Sequence, residues 1–511
     1  MKNEILKNKS YLLLSFITSI YILIPHLLYG RNTKILLFFV FLFFLLSKIN
    51  RLVFGLFSFI IMIFNILFIH VYFHWGGAFG HNVVVRIETA QMSPSDEIFE
   101  YLKNYLSMVD ALMIVYLLVG MYLIYKLFKY EHSLRKIKLL ALVIFPILLI
   151  FIIVYRDPFV KVAPFNYVYK YIEAGKWKEI VQKRKEYLHK YKNTTEVQNI
   201  DYDKILIILG ESASKSHMSL YGYSLKTTPF FDSLKQKKGF YRFNAISPAN
   251  QTLYAVTSEL TDANVTNFYD NFVHSISIVT KFKNYGFDTY WLSNQSTHGG
   301  VESYIVSIAN EANHIKILNH INWKSLTKLD DKLIEYYNTI KPKQQKEAYF
   351  FHLLGSHVDY IQRIDKKHVL FEKPKDIIEE YDNSIFYTDY ILNNILNRFK
   401  NEKILFVYFS DHGEVVSLKK HGHNFSPSYK DEYDIPFIIY SSIDNKKLNK
   451  LYELNKNKVF NLESLPNMID YILGINDDLS KISTKKDILL MEPRDKLELR
   501  NNNYDSLLYY K

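Results

Sequence analysis

The apolar positions of this chain fall into two regimes. In the first third they form long, nearly uncharged runs, Tyr11–Tyr29, Ile35–Leu46, Leu52–Phe73, Leu106–Phe128 and Leu139–Tyr155. Each approaches the roughly 20 residues that carry a helix through a bilayer core. Five transmembrane helices are predicted over residues 1–155, although the second run is short and Asp110 interrupts the fourth. From Lys204 onward the runs shrink to "KILIILG", "FDTYWLS", "AYFFHLLG", "KILFVYF" and "IPFIIY". Short runs that are apolar on both faces fit strands of a buried parallel sheet, and the intervening "TTPFFDSLKQ" and "YTDYILNNILNRF" carry the spacing of crossover helices. The pattern predicts an α/β domain over residues 204–511 with helices on both faces of the sheet.

Between the two regimes, residues 156–203 include "YVYKYIEAGKWKEIVQKRKEYLHKYK", where aromatics and lysines alternate at helical spacing. That composition fits linker helices lying at a membrane surface. It fits a solvated charged connector equally well.

Charge orients the first regime. Lys2, Lys7 and Lys9, then Lys48 and Arg51, then Lys129, Arg135, Lys136 and Lys138 fall on one side, against Arg31, Lys34, Arg86 and Lys103 on the other. The side richer in basic residues is cytoplasmic. The amino terminus is therefore inside, and five crossings deliver everything after Tyr155 to the periplasm of a bacterium with two membranes. The first run lacks a small-residue cleavage site and is followed by further runs, so it reads as a retained anchor. Composition agrees with a membrane protein: 49% of the 511 residues are hydrophobic and 16% aromatic. A net charge of +12 suits an anionic lipid surface, and a Lys- and Asn-rich coding bias accounts for the same charge. An exported domain has no nucleic acid to meet, and the chain is expected to act as a monomer. With 0 cysteines no disulfide braces the outer domain, so its stability rests on core burial.

In open α/β sheets ligands bind beyond the carboxyl ends of the strands. Here Glu211 follows "KILIILG", Asn294 and Gln295 follow "FDTYWLS", Ser356 and His357 follow "AYFFHLLG", and Ser410, Asp411 and His412 follow "KILFVYF". Carboxylates and imidazoles converging on one rim suit a divalent transition metal such as zinc. The stretch "FSDHGEVVSLKKHGHNF" adds His421 and His423, and also reads as a His-rich surface loop. In "ISPANQTLYAVTSEL", Asn250 and Thr252 stand just before a helical run, where amide groups attract phosphate. Thr252 is there either a nucleophile activated by a base or metal, or simply a helix cap.

"LGESASKSHMSLYGYSLKTTP", "NQTLYAV", "LLGSH" and "FSDHGE" followed by "HG", in this order behind five apolar runs, resemble the bacterial phosphoethanolamine transferases of the alkaline phosphatase and sulfatase superfamily. The resemblance covers essentially the whole chain. It implies a zinc ion held by Glu211, Thr252, Asp411 and His412, with Thr252 as the nucleophile that carries phosphoethanolamine. It implies that His357 and His421, with His423 as a lesser candidate, bind the substrate phosphate, supply a proton or hold a second zinc. Gln295, Ser296 and His298 in "NQSTHGG" occupy the place of substrate-binding residues, with His298 where some relatives have lysine. Glu88 in the outer loop "RIETAQMSPSDEIFEYL" would approach the donor's ammonium group, or stand as a solvated loop residue. The implied reaction moves phosphoethanolamine from phosphatidylethanolamine to lipopolysaccharide, on a lipid A phosphate or a core sugar, with polymyxin resistance as a consequence. Many lipid A-modifying relatives flank the nucleophile with cysteines; this chain has none and looks closer to members that modify core sugars. A phosphoglycerol transferase, a metallophosphatase or sulfatase-like hydrolase on the same fold, and an inactive zinc-bound glycolipid-binding module are the alternatives. A sulfatase needs a Cys or Ser convertible to formylglycine, and none matches here.

Overall fold

The computed structural model describes residues 2–29, 33–75, 108–129, 135–154, 179–192, 200–295, 300–319, 328–340, 346–423, 425, 427–482, 484–491 and 499–510. The chain divides into two compact units, Met1–Lys176 and Trp177–Lys511.

In the first unit, five helices occupy the five long apolar runs: Lys2–Tyr29, Thr33–Ile49, Arg51–Trp75, Met108–Lys129 and Arg135–Val154. Among the described residues one stretch, Ala111–Lys129, is long and apolar enough to cross a membrane. Shorter apolar stretches lie at Lys9–Leu23, Leu37–Ile49, Arg51–Ile66 and Ile137–Leu148. The helices meet through apolar side chains such as Ile22, Phe43, Phe54 and Met62. A polar contact joins three of them: Asn65 Nδ2 donates to the Ile22 carbonyl at 2.8 Å and to the Tyr116 hydroxyl at 2.9 Å. Such contacts satisfy polar groups that an apolar surround would leave unsolvated.

The second unit is built on an eight-stranded sheet of order β10-β2-β9-β6-β1-β5-β3-β4. Its strands are β1 Lys204–Gly210, β2 Phe240–Ile246, β3 Asp288–Ser293, β4 His314–Ile317, β5 Glu347–His352, β6 Ile404–Ser410, β9 Asp434–Ser441 and β10 Val459–Asn461. Two small pairs, β7 Val415–Val416 with β8 His421–Gly422 and β11 Asp487–Met491 with β12 Leu499–Asn503, complete the set. The alternation of side chains sends Ile205, Ile207 and Leu209 to one buried cluster and Leu206 and Ile208 to another. Both faces are therefore covered by helices, which is why "ILIIL" of β1 and "ILFVYF" of β6 carry no charged residue. Neighbours in the sheet are parallel except at β9, which runs antiparallel to both β2 and β6. The run "IPFIIY", expected in a parallel sheet, is this reversed strand: apolarity on two faces reports burial and not direction.

The helical segment at residues 179–190 belongs to the second unit. Its Arg184 is 0% exposed and pairs with Glu311 at 2.7 Å, donates to the Ser275 carbonyl at 2.9 Å, and stacks over Phe272. Ser277 and Thr280 hydroxyls complete the shell around Glu311. Removing one partner of a buried pair strands the other. Arg184→Ala is expected to lower stability by about 3 kcal/mol in urea unfolding; an unchanged midpoint would mean that the ion pair contributes nothing.

Candidate active site

Four chain segments bring the candidate groups to the carboxyl edge of the sheet. β1 and β6 are neighbours in parallel register, with Gly210 opposite Ser410. Their next residues, Glu211 and Asp411, therefore leave the sheet side by side. The chain turns sharply after Glu211, where Ser212 has φ of 55°, an uncommon conformation for a residue with a Cβ. The turn is held by Ser212 Oγ donating to Glu211 Oε1 at 2.8 Å and by Asp411 Oδ1 accepting from Ser212 N at 3.1 Å. Above it passes the loop after β5. At Gly355, φ +52°, a Cβ would lie 2.8 Å from both the backbone N and the backbone O of Glu211, so only glycine lets the loop close over the Glu211 backbone. Buried Asp330 fixes the loop by accepting from Leu354 N at 2.9 Å and Gly355 N at 3.0 Å.

Thr252 begins the helix Thr252–Leu260, and Gln251 occupies the cap position. Thr252 is thus no helix cap. Its Oγ lies 3.3 Å from Glu211 Oε2 and 3.3 Å from His412 Nε2. His412 Nε2 is in turn 3.4 Å from Glu211 Oε1 and 3.4 Å from Asp411 Oδ2. The other ring nitrogen, Nδ1, donates to the Gly413 carbonyl at 2.9 Å, which orients Nε2 toward the carboxylates.

One ligand atom each from Glu211, Asp411 and His412 lies within 4.8 Å of the others, and all three residues are buried. Asp411 Oδ2 is buried without a hydrogen-bond partner among the described residues. Such an orphaned carboxylate oxygen is expected where a cation belongs. The electrostatics agree. Burial, then the charge of Glu211, pushes Asp411 up to about 7. Burial opposes the charge on His412, yet Asp411 and then Glu211 raise it to about 10. Burial also opposes the charge on Glu211, but the His412 hydrogen bond and charge hold it below the usual carboxylate range. A pocket that draws a proton so strongly onto His412 has negative charge to spare, and two carboxylates, an imidazole and a hydroxyl form a donor set that suits zinc.

Beside this centre, the His423 ring lies 4.1 Å from that of His412 and 6.4 Å from that of His357. His423 Nδ1 pairs with Glu414 Oε2 at 2.8 Å, and the Tyr360 hydroxyl donates to Glu414 Oε1 at 2.7 Å. His412, Glu414 and His423 form a second group with ligand atoms within 4.8 Å. Burial holds His357 below the usual imidazole range. His421, the favoured histidine of its loop in sequence, is exposed, with its ring 6.3 Å from that of Tyr360. Gln295 Nε2 donates to Glu211 Oε2 at 3.1 Å and to the Leu353 carbonyl at 2.9 Å. Asn250 is buried and donates to Glu432 Oε2 at 2.9 Å and Ser428 Oγ at 3.3 Å. Ser296, His298 and Glu88 lie outside the described residues. Glu414 and Glu432 received no role in sequence. Glu414 stands inside "SDHGE" and was legible there, whereas Glu432 sits in the charged run "YKDEYD", which reads as solvated although Glu432 is 0% exposed.

A family model described as Sulfatase matches residues 203–475, more than half of the chain. Phosphoethanolamine transferase EptC of Escherichia coli K12 is 27% identical over 259 residues, 47% of this chain and 45% of that protein. The chain spans about half the length of the curated relatives it matches. Among solved structures, the C-terminal periplasmic domain of E. coli EptC in complex with Zn aligns with a TM-score of 0.52 at 23% identity, covering 62% of this chain and 96% of that one. The integral membrane protein EptA of Neisseria meningitidis aligns with a TM-score of 0.53 at 17% identity, covering 90% of this chain and 95% of that one. At such identities these two likenesses concern the fold alone. The family model carries more, since it spans the sheet and every segment of the centre around Thr252: the chain belongs to the sulfatase family, where its relatives include proteins named phosphoethanolamine transferases.

Proposed function

We propose that the chain is a membrane-anchored, zinc-dependent phosphoethanolamine transferase with Thr252 as its nucleophile. The observation that carries this reading is Thr252 Oγ at 3.3 Å from both Glu211 and His412, beside Asp411 Oδ2, which has no hydrogen-bond partner among the described residues. Glu211, Asp411, His412 and Thr252 Oγ would hold the metal, which when bound lowers the hydroxyl pKa and offsets charge on phosphoryl oxygens. His412 has a single nitrogen free of the Gly413 carbonyl, so the two ligand clusters that share it cannot both be filled through it. One zinc is therefore the reading we adopt.

Thr252 Oγ passes its proton to Glu211 Oε2 and attacks the phosphorus of phosphatidylethanolamine, forming the Oγ–P bond as the P–O bond to diacylglycerol breaks. Glu211 Oε2 orients the hydroxyl through the hydrogen bond it accepts. First-turn amides of the Thr252–Leu260 helix face the phosphoryl oxygens. The departing oxygen needs a proton. His423, with Nδ1 held by Glu414, presents Nε2 for that transfer, and His357 stands beside it. An oxygen of lipopolysaccharide, on lipid A or a core sugar, then attacks the phosphorus; the Oγ–P bond breaks, Thr252 recovers its proton from Glu211, and any proton on the attacking oxygen passes to His423. Gln295 fixes the position of Glu211, and Ser296, His298 and His421 remain candidates for substrate contact.

The five apolar helices are proposed as membrane spans that place the α/β unit in the periplasm; of residues 156–203, expected in sequence to join domains 1–155 and 204–511, the helical segment 179–190 is part of the second unit. Support comes from the outward apolar surface of the Met108–Lys129 helix, where Leu112, Ile114, Val115 and Leu118 are each more than half exposed. Anchoring keeps donor and acceptor at high effective concentration. Ethanolamine added to an anionic lipid would weaken attraction for cationic peptides such as polymyxin.

Mass spectrometry of the full chain incubated with vesicles tests the reading. A phosphoethanolamine adduct on the Thr252 peptide is expected with phosphatidylethanolamine, and none with phosphatidylglycerol. Absence of any adduct in zinc-replete protein that turns over no lipid would favour the binding module.

A further inference from the structure

The loop that carries His423 also builds a cage for a small cation. Lys420 closes the turn between β7 and β8, with Ser417 N and Oγ both donating to its carbonyl at 2.9 Å. Its ammonium lies 4.3 Å from the Phe425 ring centroid, 4.7 Å from Tyr429 and 5.5 Å from Tyr510. The rings are steeply inclined to one another, 70° between Phe425 and Tyr429 and 89° between Tyr429 and Tyr510. They form three walls of a box. Inside it the Lys420 ammonium donates to the Tyr429 hydroxyl at 3.2 Å, and among the described residues no ion pair is formed by Lys420. Ring faces, not a carboxylate, hold this charge, as they do in sites that select organic cations.

The cage is wired to the centre. Buried Glu432 accepts from Phe425 N at 3.0 Å and Tyr429 N at 2.7 Å, holding the backbone that carries both rings, and from Asn250 Nδ2 at 2.9 Å, two residues before Thr252. His423 is two residues before Phe425. A single buried carboxylate therefore sets the cage against the segment that bears the nucleophile.

We infer that the Phe425–Tyr429–Tyr510 cage binds the primary ammonium of phosphoethanolamine, and that Lys420 occupies it as an intramolecular stand-in when substrate is absent. The ligand class is a primary alkylammonium, which the Lys420 side chain already shows to fit. This assignment rests on the phosphoethanolamine reading for its biological ligand, but the cage is testable by itself. When substrate enters, the Lys420 ammonium leaves the box to solvent.

Ethanolammonium chloride is titrated into the full chain in detergent, with binding read from line broadening of its methylene protons and ethylene glycol as the uncharged control. Lys420→Met removes the competitor and is expected to tighten ethanolammonium binding about tenfold. Adding Phe425→Leu to Lys420→Met should cancel the gain while keeping an apolar side chain at that position. Equal binding by wild type and Lys420→Met, or a gain that survives Phe425→Leu, overturns the assignment. Should the expected pattern appear without any Thr252 adduct, the cage stands and the transferase reading falls; an adduct with no Lys420 effect removes the cage alone.

Discussion

Thr252→Val is expected to lower head-group release from radiolabelled phosphatidylethanolamine on the order of 10³-fold or more. Valine keeps the branched shape at the first residue of the Thr252–Leu260 helix and deletes the one atom that reaches Glu211 and His412. Fold and zinc content should therefore survive, because Glu211, Asp411 and His412 remain. Thr252→Ser restores the oxygen but frees its χ1 rotation, which the threonine methyl restricts, so turnover about tenfold below wild type is expected. The pair of variants separates chemistry from packing. A helix-capping role would predict the opposite order of interest, a loss of stability with little loss of rate. Turnover by the valine variant within a few fold of wild type would remove Thr252 from the mechanism.

How much of this centre was legible in the sequence depended on what burial does to a strand. β1, β3, β5 and β6 lie inside the sheet and are buried throughout, so their central residues are mostly apolar and the polar residues that follow mark the rim. Glu211, Gln295, Asp411 and His412 were found that way. β2 was not, because Arg242 and Asn244 are exposed and interrupt its apolar pattern, and four-residue β4 at the sheet edge carries too few positions to read. The direction of β9 was equally invisible. The histidines show a finer limit. His421 and His423 are two residues apart and would share a face on a regular strand. Gly422 adopts φ of +112°, which breaks that alternation and leaves His421 exposed while His423 turns to His412. Glu432 failed to register for another reason: its capping box starts from Tyr429, whereas a sequence rule looks for Ser or Thr.

Asp411→Asn should have opposite effects on the metal-free and zinc-loaded protein. Asp411 Oδ1 accepts from Ser212 N at 3.1 Å and His412 N at 2.7 Å, bonds that an amide oxygen can keep. The change falls on Oδ2, the oxygen without a hydrogen bond among the described residues, where an NH₂ group would repel a cation. Zinc affinity and turnover are both expected to drop on the order of 10³-fold. In chelator the sign reverses. Burial, then Glu211, raises Asp411 from 3.8 to about 7, outweighing the attraction of His412. The folded chain thus prefers the protonated acid, and the stability this confers is complete below about pH 4 and lost as pH rises to about 7. At pH 8 the wild type without metal bears the net cost of a buried carboxylate beside Glu211, which asparagine avoids. The variant should melt above wild type in chelator at pH 8, the difference should shrink toward pH 4, and excess zinc should invert the ranking. Calorimetric scans with and without zinc check all three. A variant that melts below wild type in chelator at pH 8, or that binds zinc as tightly as wild type, would mean that Asp411 Oδ2 faces no metal site, and the case for zinc around Thr252 would go with it.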